Sequence, residues 1–276
     1  MELHVINCGD FKLDGGAMFG VVPKSLWTRT NPSDENNMIS ISTRCLLVME
    51  GDKSVLIDNG MGDKQSEKFF SYYFQSGDYT LEKSLNQAGI KSGDITDMFL
   101  THLHFDHCGG GVLKANGIPE LTFPNAKYWS NENHWKWATE PNDREKASFL
   151  KENIIPIEES GQLNMLKGDN FQDVFDVIFV DGHTEKQMLP KLSYRGHTIV
   201  FVADLVPTHG HIPIPYVMGY DTRPLLTIVE KQKFLNNAAD NGTILFFEHD
   251  PEIECCTVKH TERGVRLDQV LKLADL

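Results

Sequence analysis

The segment Thr101-His102-Leu103-His104-Phe105-Asp106-His107 places three histidines and an aspartate within six positions. Neutral imidazole nitrogen and carboxylate oxygen are common protein donors for zinc and similar ions. In an extended stretch, side chains two apart point the same way, so His102 and His104 can hold one ion. Asp106 and His107 follow where the chain turns, and can hold a second ion beside it. Solvated loop histidines need no such crowding. Four donors this close, after a buried strand and before glycines, lose hydration to no purpose unless a cation joins them. Gly109-Gly110-Gly111 lets the backbone turn tightly and is expected to start a helix near the metals.

These donors need elements to carry them. Residues 2–8 read as a strand, and residues 40–50 and 53–57 as two strands joined by the turn Gly51-Asp52. Thr80 opens a helix that ends at Gly89. Met98–Leu100 is a short apolar strand leading straight into the histidine cluster. Residues 131–150 contain helix, interrupted near Pro141. Strands are expected at 174–180, 191–194 and 198–202, the last two joined by Arg195-Gly196. A helix at 225–240, a strand at 243–247 and a closing hairpin and helix complete the chain. Residues 10–39 and 205–224, rich in glycine or proline, read as long loops of the kind that border a pocket.

In this order of elements the chain resembles the metallo-β-lactamase superfamily. The resemblance rests on the histidine cluster and on four later or earlier segments. Asp181-Gly182-His183-Thr184 looks like the family's next ligand, His183. Ala203-Asp204 resembles the carboxylate that bridges two ions. Phe247-Glu248-His249 supplies the last histidine, His249. Leu56-Ile57-Asp58-Asn59-Gly60 resembles the strand-end segment whose aspartate, Asp58, supports the ligand loops from behind. The resemblance implies an α/β fold, the αββα sandwich, as a single domain over residues 1–276. It also implies that His102, His104 and His183 bind one metal, that Asp106, His107 and His249 bind the other, and that Asp204 bridges. Asp106 is then placed to pass a proton to a leaving group. Two divalent ions are expected, zinc by default, with manganese or iron also compatible with these donors.

Composition narrows the function. Apolar residues make up 40% and charged residues 24%, as in a globular chain with a sizeable core. The net charge of −13 repels phosphate backbones and anionic lipid heads, so neither nucleic acid nor membrane is an expected partner. No apolar run is long enough to span a bilayer. The start, Met1-Glu2-Leu3-His4, lacks the pattern of a signal peptide. Five cysteines without a C-x-x-C read as reduced thiols, and the expected location is the cytoplasm.

Within the superfamily, Gly15–Gly20, Phe105 and Ile212–Met218 resemble quorum-quenching lactonases, which open N-acyl-homoserine lactones. Similar organophosphate and aryl-ester hydrolases are the alternative, and a glyoxalase II-like thioesterase a weaker one. A binding or scaffold protein with a dead site is a reading of another class, opposed by the complete donor set. The expected substrate is a small neutral lactone or ester, and the expected state a monomer or homodimer. Known lactonases place a tyrosine three positions after the bridging aspartate, and here that position is Pro207. His209, His211, Tyr216 and Tyr220 are candidates for its role. Met18, Phe19, Trp27, Ile212 and Met218 are candidates for an apolar pocket wall.

Overall fold

A computed structural model describes residues 1–276. Residues Met1–Asp10 with Thr43–Asp169 form one compact unit, and Phe11–Ser42 with Asn170–Leu276 form a second.

The first unit carries most of a mixed sheet, the ends of whose two outer strands, residues 11–14 and 38–42, count with the second. The strands of this sheet lie in the order Glu2–Asp14, Met38–Glu50, Lys53–Ile57, Asp97–Phe99, Lys127–Ser130 and Leu163–Met165. Met38–Glu50 and Lys53–Ile57 are antiparallel across the expected tight turn. From Lys53–Ile57 onward, through Asp97–Phe99 and Lys127–Ser130 to Leu163–Met165, neighbouring strands are parallel. Parallel strands are covered on both faces, which is why Val55-Leu56-Ile57 and Met98-Phe99 are continuous apolar runs without exposure. Thr80 caps the helix Leu81–Gln87 by accepting the Lys83 N–H, and Asn131 caps Glu132–Thr139 by accepting the His134 N–H. Leu47, Leu56, Met98, Leu100, Leu103, Phe123 and Ile157 are part of the core beneath.

The second unit carries seven strands, in the order 264–271, 255–261, 244–246, 197–201, 187–194, 175–180 and 170–171. All neighbours are antiparallel except 197–201 and 244–246. Arg195 and Gly196 both have positive φ, 49° and 85°, as a two-residue hairpin turn requires. The helix Pro224–Asn241 starts on proline and stops at Gly242 in the left-handed conformation.

Two expectations change. The first strand runs to Asp14 rather than stopping at residue 8, and the supposed loop beyond it holds two short helices, Gly15–Phe19 and Lys24–Trp27. Residues 205–224 are the expected long loop, with one 3-10 turn, His209–His211, between the turn Ala203–Leu205 and the helix that starts at Pro224. The glycine run does not start an α-helix: it forms one 3-10 turn and leads into the strand Val112–Ala115. The helical turn Phe105–Cys108 precedes it, and the glycines are needed for close approach. A Cβ on Gly109 would lie 2.1 Å from the Met61 carbonyl oxygen, and one on Gly110 2.1 Å from that of Asn59.

Candidate metal centre

In the first unit, register brings the donors together. Lys53–Ile57 and Asp97–Phe99 run parallel with Ile57 opposite Phe99, so both chains leave the sheet at one end. Asp58, one residue beyond, therefore meets the ligand loop. Its Oδ1 accepts the Thr101 N–H at 2.8 Å, and its Oδ2 accepts the Thr101 hydroxyl at 2.6 Å. The same Oδ2 lies 3.1 Å from His107 Nδ1. Asp58 is wholly buried.

These partners fix the protons on the imidazoles. The Thr101 hydroxyl gives its hydrogen to Asp58, so it accepts from His102 Nδ1 at 3.1 Å. His104 Nε2 faces the Glu145 carboxylate at 3.3 Å and must donate to it. His102 Nε2 and His104 Nδ1 then face each other as two acceptor nitrogens, 3.1 Å apart. Two lone pairs held this close repel unless a cation sits between them. Donors at 2.0–2.1 Å on one tetrahedral ion stand about 3.3 Å apart. His107 follows the same rule: Nδ1 donates to Asp58, and Nε2 is turned toward Asp106 Oδ2 at 4.0 Å.

The second unit repeats the arrangement. Phe201 lies opposite Phe246 in the parallel pair, so Asp204 and His249, each three residues further on, emerge side by side. His249 Nδ1 donates to the Ser42 carbonyl at 2.9 Å, and its Nε2 faces Asp204 Oδ1 at 3.2 Å. His183 Nδ1 donates to Asp221 at 3.0 Å, and its Nε2 faces Asp204 Oδ2 at 3.0 Å. One carboxylate thus presents a separate oxygen to each of two imidazoles. Burial opposes a charged His183, but Asp204 and Asp221 outweigh it and hold the imidazole up to about 10.

The His183 loop is clamped by the long helix. The Asp181 and Gly182 N–H groups donate to Glu230 at 2.8 and 2.9 Å, and Arg223 reaches the Asp181 carbonyl at 2.6 Å. Gly182 is required, because a Cβ there would lie 2.4 Å from the Thr227 nitrogen.

All seven expected donors are buried and belong to groups able to hold metal ions. The expected pocket residues divide. Met18, Phe19, Trp27, Ile212 and Met218 are buried in the second unit, where Phe19 stacks between Trp27 at 5.3 Å and His211 at 4.2 Å. His211 is wholly enclosed, with Nδ1 on Thr208 and Nε2 on the Met18 carbonyl, and burial lowers it to about 3. His209 and Tyr216 keep partial exposure. His209 pairs with Asp250 at 2.6 Å. Lys231, without exposure, donates to the carbonyls of His211, Pro213 and Tyr216 and so holds this loop.

Sequence reasoning did not single out Thr101, Glu145, Asp221 or Ser42, each of which orients an imidazole. Nor did it find the aromatic cluster of Phe69, Tyr73 and Phe105, with ring centroids 4.8 to 5.3 Å apart, beside Asp106. Glu145 also accepts the Trp137 indole N–H at 2.6 Å, so two residues with no motif of their own complete the His104 environment.

Comparison with known proteins bears on the fold. An N-acyl homoserine lactonase from Bacillus cereus is 22% identical over 79% of this chain and 85% of its own length. The crystal structure of a probable metal-dependent hydrolase from Staphylococcus aureus superposes with a TM-score of 0.88 at 27% identity, covering 99% of this chain and 97% of that one. A dizinc quorum-quenching lactonase shares the fold with a TM-score of 0.79 at 24% identity, covering 98% and 95%. The family model of the metallo-β-lactamase superfamily matches residues 41–249, from within the strand Met38–Glu50 to His249, and the chain belongs to that superfamily.

Proposed function

We propose that the protein is a dinuclear metal-dependent hydrolase that opens the ring of a lactone, with N-acyl-homoserine lactones as the leading substrate class. The observation that carries the metal reading is the proton inventory. Five histidines have one nitrogen committed to a protein acceptor, and the other faces a second electron-rich atom. In this reading His102, His104, His183 and Asp204 hold one ion, and Asp106, His107 and His249 hold the other with Asp204 as the bridge. Residues 1–276 then work as one catalytic domain. Zinc suits this donor set, and manganese or iron would also be accepted.

Bound ions would supply an activated water at neutral pH and Lewis acidity at the substrate carbonyl. The chain's own residues do the rest. Asp204 would balance part of the charge of those ions. Asp106 would take up the proton that the attacking water gives up as its oxygen bonds to the carbonyl carbon, and pass it to the alkoxide released when the ring C–O bond breaks; in a lactone that alkoxide stays tethered within reach. Phe69, Tyr73 and Phe105 form an apolar wall beside Asp106, suited to an acyl chain. Burial and the nearby Asp106 push the Tyr73 phenol up to about 12, so it keeps its proton and can donate to a carbonyl. Tyr73 and His209 are our candidates for the role a tyrosine fills in known lactonases, which Pro207 cannot take. The surface charge of −13 does not oppose a neutral substrate.

The lactonase relatives support this substrate class over β-lactams, thioesters and phosphodiesters. Pro207 is the feature that favours the alternative, an organophosphate or aryl-ester hydrolase. The test is a panel on metal-loaded protein: acyl-homoserine lactones of several lengths, simple γ- and δ-lactones, a thioester, an aryl ester and a phosphotriester. Highest kcat/KM on a lactone is the expected result. Faster turnover of the aryl ester or phosphotriester than of every lactone would replace the proposal with the alternative.

A further inference from the structure

The peptide between the two imidazoles of the His102–His104 pair lies beyond the reach of the sheet. The last ladder bond on this strand is the Leu100 N–H to the Trp129 carbonyl at 3.0 Å. Two side chains take over at Leu103. Its N–H donates to His134 Nε2 at 2.8 Å, and its carbonyl accepts the Cys108 thiol at 3.3 Å. Leu103 and His134 are both without exposure, so neither bond competes with water.

His134 is itself firmly placed. It sits in the first turn of the helix Glu132–Thr139, where its N–H donates to the capping Asn131 side chain at 2.9 Å. That helix continues the strand Lys127–Ser130, which pairs in register with Asp97–Phe99. The same sheet therefore delivers both the histidine pair and the ring that pins it. The His134 ring stands edge-on to His102, with centroids 6.2 Å apart, and to Phe149 at 5.9 Å. Phe149 in turn packs on His104 at 4.9 Å. Because a backbone N–H can only donate, His134 Nε2 must be the acceptor, and the ring is held in its Nδ1–H form.

We propose that His134 is a positioning residue for the metal centre. By accepting the Leu103 N–H it holds residues 102–104 extended where no neighbouring strand can, and so sets the spacing of His102 Nε2 and His104 Nδ1. It touches no metal. Its loss weakens the ion held by His102 and His104 and spares the ion held by Asp106 and His107. This rests on the reading that His102 and His104 are ligands. Outer partners of metal-binding histidines change affinity by about 10–100-fold when removed.

The test compares wild type, His134→Gln and His134→Leu by stepwise zinc competition with a chromogenic chelator, alongside circular dichroism. Glutamine keeps an acceptor of similar reach, and leucine removes it. The expected result is that His134→Leu weakens one zinc step by about 10–100-fold and leaves the other unchanged, while His134→Gln restores the weakened step. Equal affinities in His134→Leu and wild type, or parallel loss at both steps without rescue, overturns the proposal. Failure of the wild type to bind zinc instead removes the metal reading on which it rests. If His134→Leu does not fold, the bond is read in the wild type by through-hydrogen-bond coupling between the Leu103 amide nitrogen and His134 Nε2. Absence of that coupling overturns the proposal.

Discussion

Replacing Asp58 by asparagine changes one atom and no volume, yet it should detach a metal. Asp58 accepts from the Thr101 N–H on Oδ1 and from the Thr101 hydroxyl and His107 Nδ1 on Oδ2. Asparagine has one acceptor and one donor end. The Thr101 N–H can only donate, so the amide oxygen is drawn to that side. The amide NH₂ then faces His107 Nδ1–H, two donors head to head. The clash is relieved only if His107 moves its proton to Nε2, the nitrogen that would meet the metal. Flipping the amide transfers the clash to Thr101 without removing it. A lost hydrogen bond to a charged group is worth about 1.5–3 kcal/mol, or about 10–100-fold in affinity. Zinc titration against a chelator, with stoichiometry by elemental analysis, should show one of two ions released early from Asp58→Asn. The His102–His104 ion should be affected less. Two ions retained at wild-type affinity would refute the tautomer argument.

Three further outcomes follow from the same geometry. Asp204→Ala removes the carboxylate shared by His183 and His249, and should lower kcat by about 10²-fold or more with loss of at least one ion; near-normal turnover would remove it from the site. His209→Ala should lower kcat/KM on the best lactone by about 10-fold or more with both ions retained, and lost metal would instead make it a ligand. His211 is held at about 3, below the ordinary 6.5, so the unfolded chain takes up its proton first as pH falls. Its stabilising contribution is complete above pH 6.5 and is lost progressively toward pH 3, by about 2–5 kcal/mol. Denaturant titrations between pH 7 and 4 should show a steeper fall for wild type than for His211→Gln, and equal slopes would exclude His211 as the titrating group.

What could be read from sequence alone was local. The three histidines and aspartate of residues 102–107 sit within one turn and a bend of each other, so their convergence needs no distant contact. The Arg195-Gly196 hairpin and the Thr80 cap were legible for the same reason, since turn and cap chemistry is written in adjacent residues. Asp58, His183, Asp204 and His249 were visible as polar residues closing apolar strands, and the resemblance supplied their roles. Strand ends in residues 10–39 were not legible, because glycine and proline there mark two short helices as readily as a loop.

Only the tertiary structure decided how the imidazoles are oriented. Glu145 lies 41 residues from His104, His134 lies 31 residues from Leu103, and Asp221 lies 38 residues from His183. None stands in a motif, and each comes from a segment whose periodicity speaks only of helix or loop. Their positions follow from strand register, which places Phe99 beside Trp129 and Phe201 beside Phe246. The sequence names the donors because donor chemistry belongs to residue type. Which nitrogen carries the proton depends on what stands within 3 Å of it, and that is a property of the packed chain.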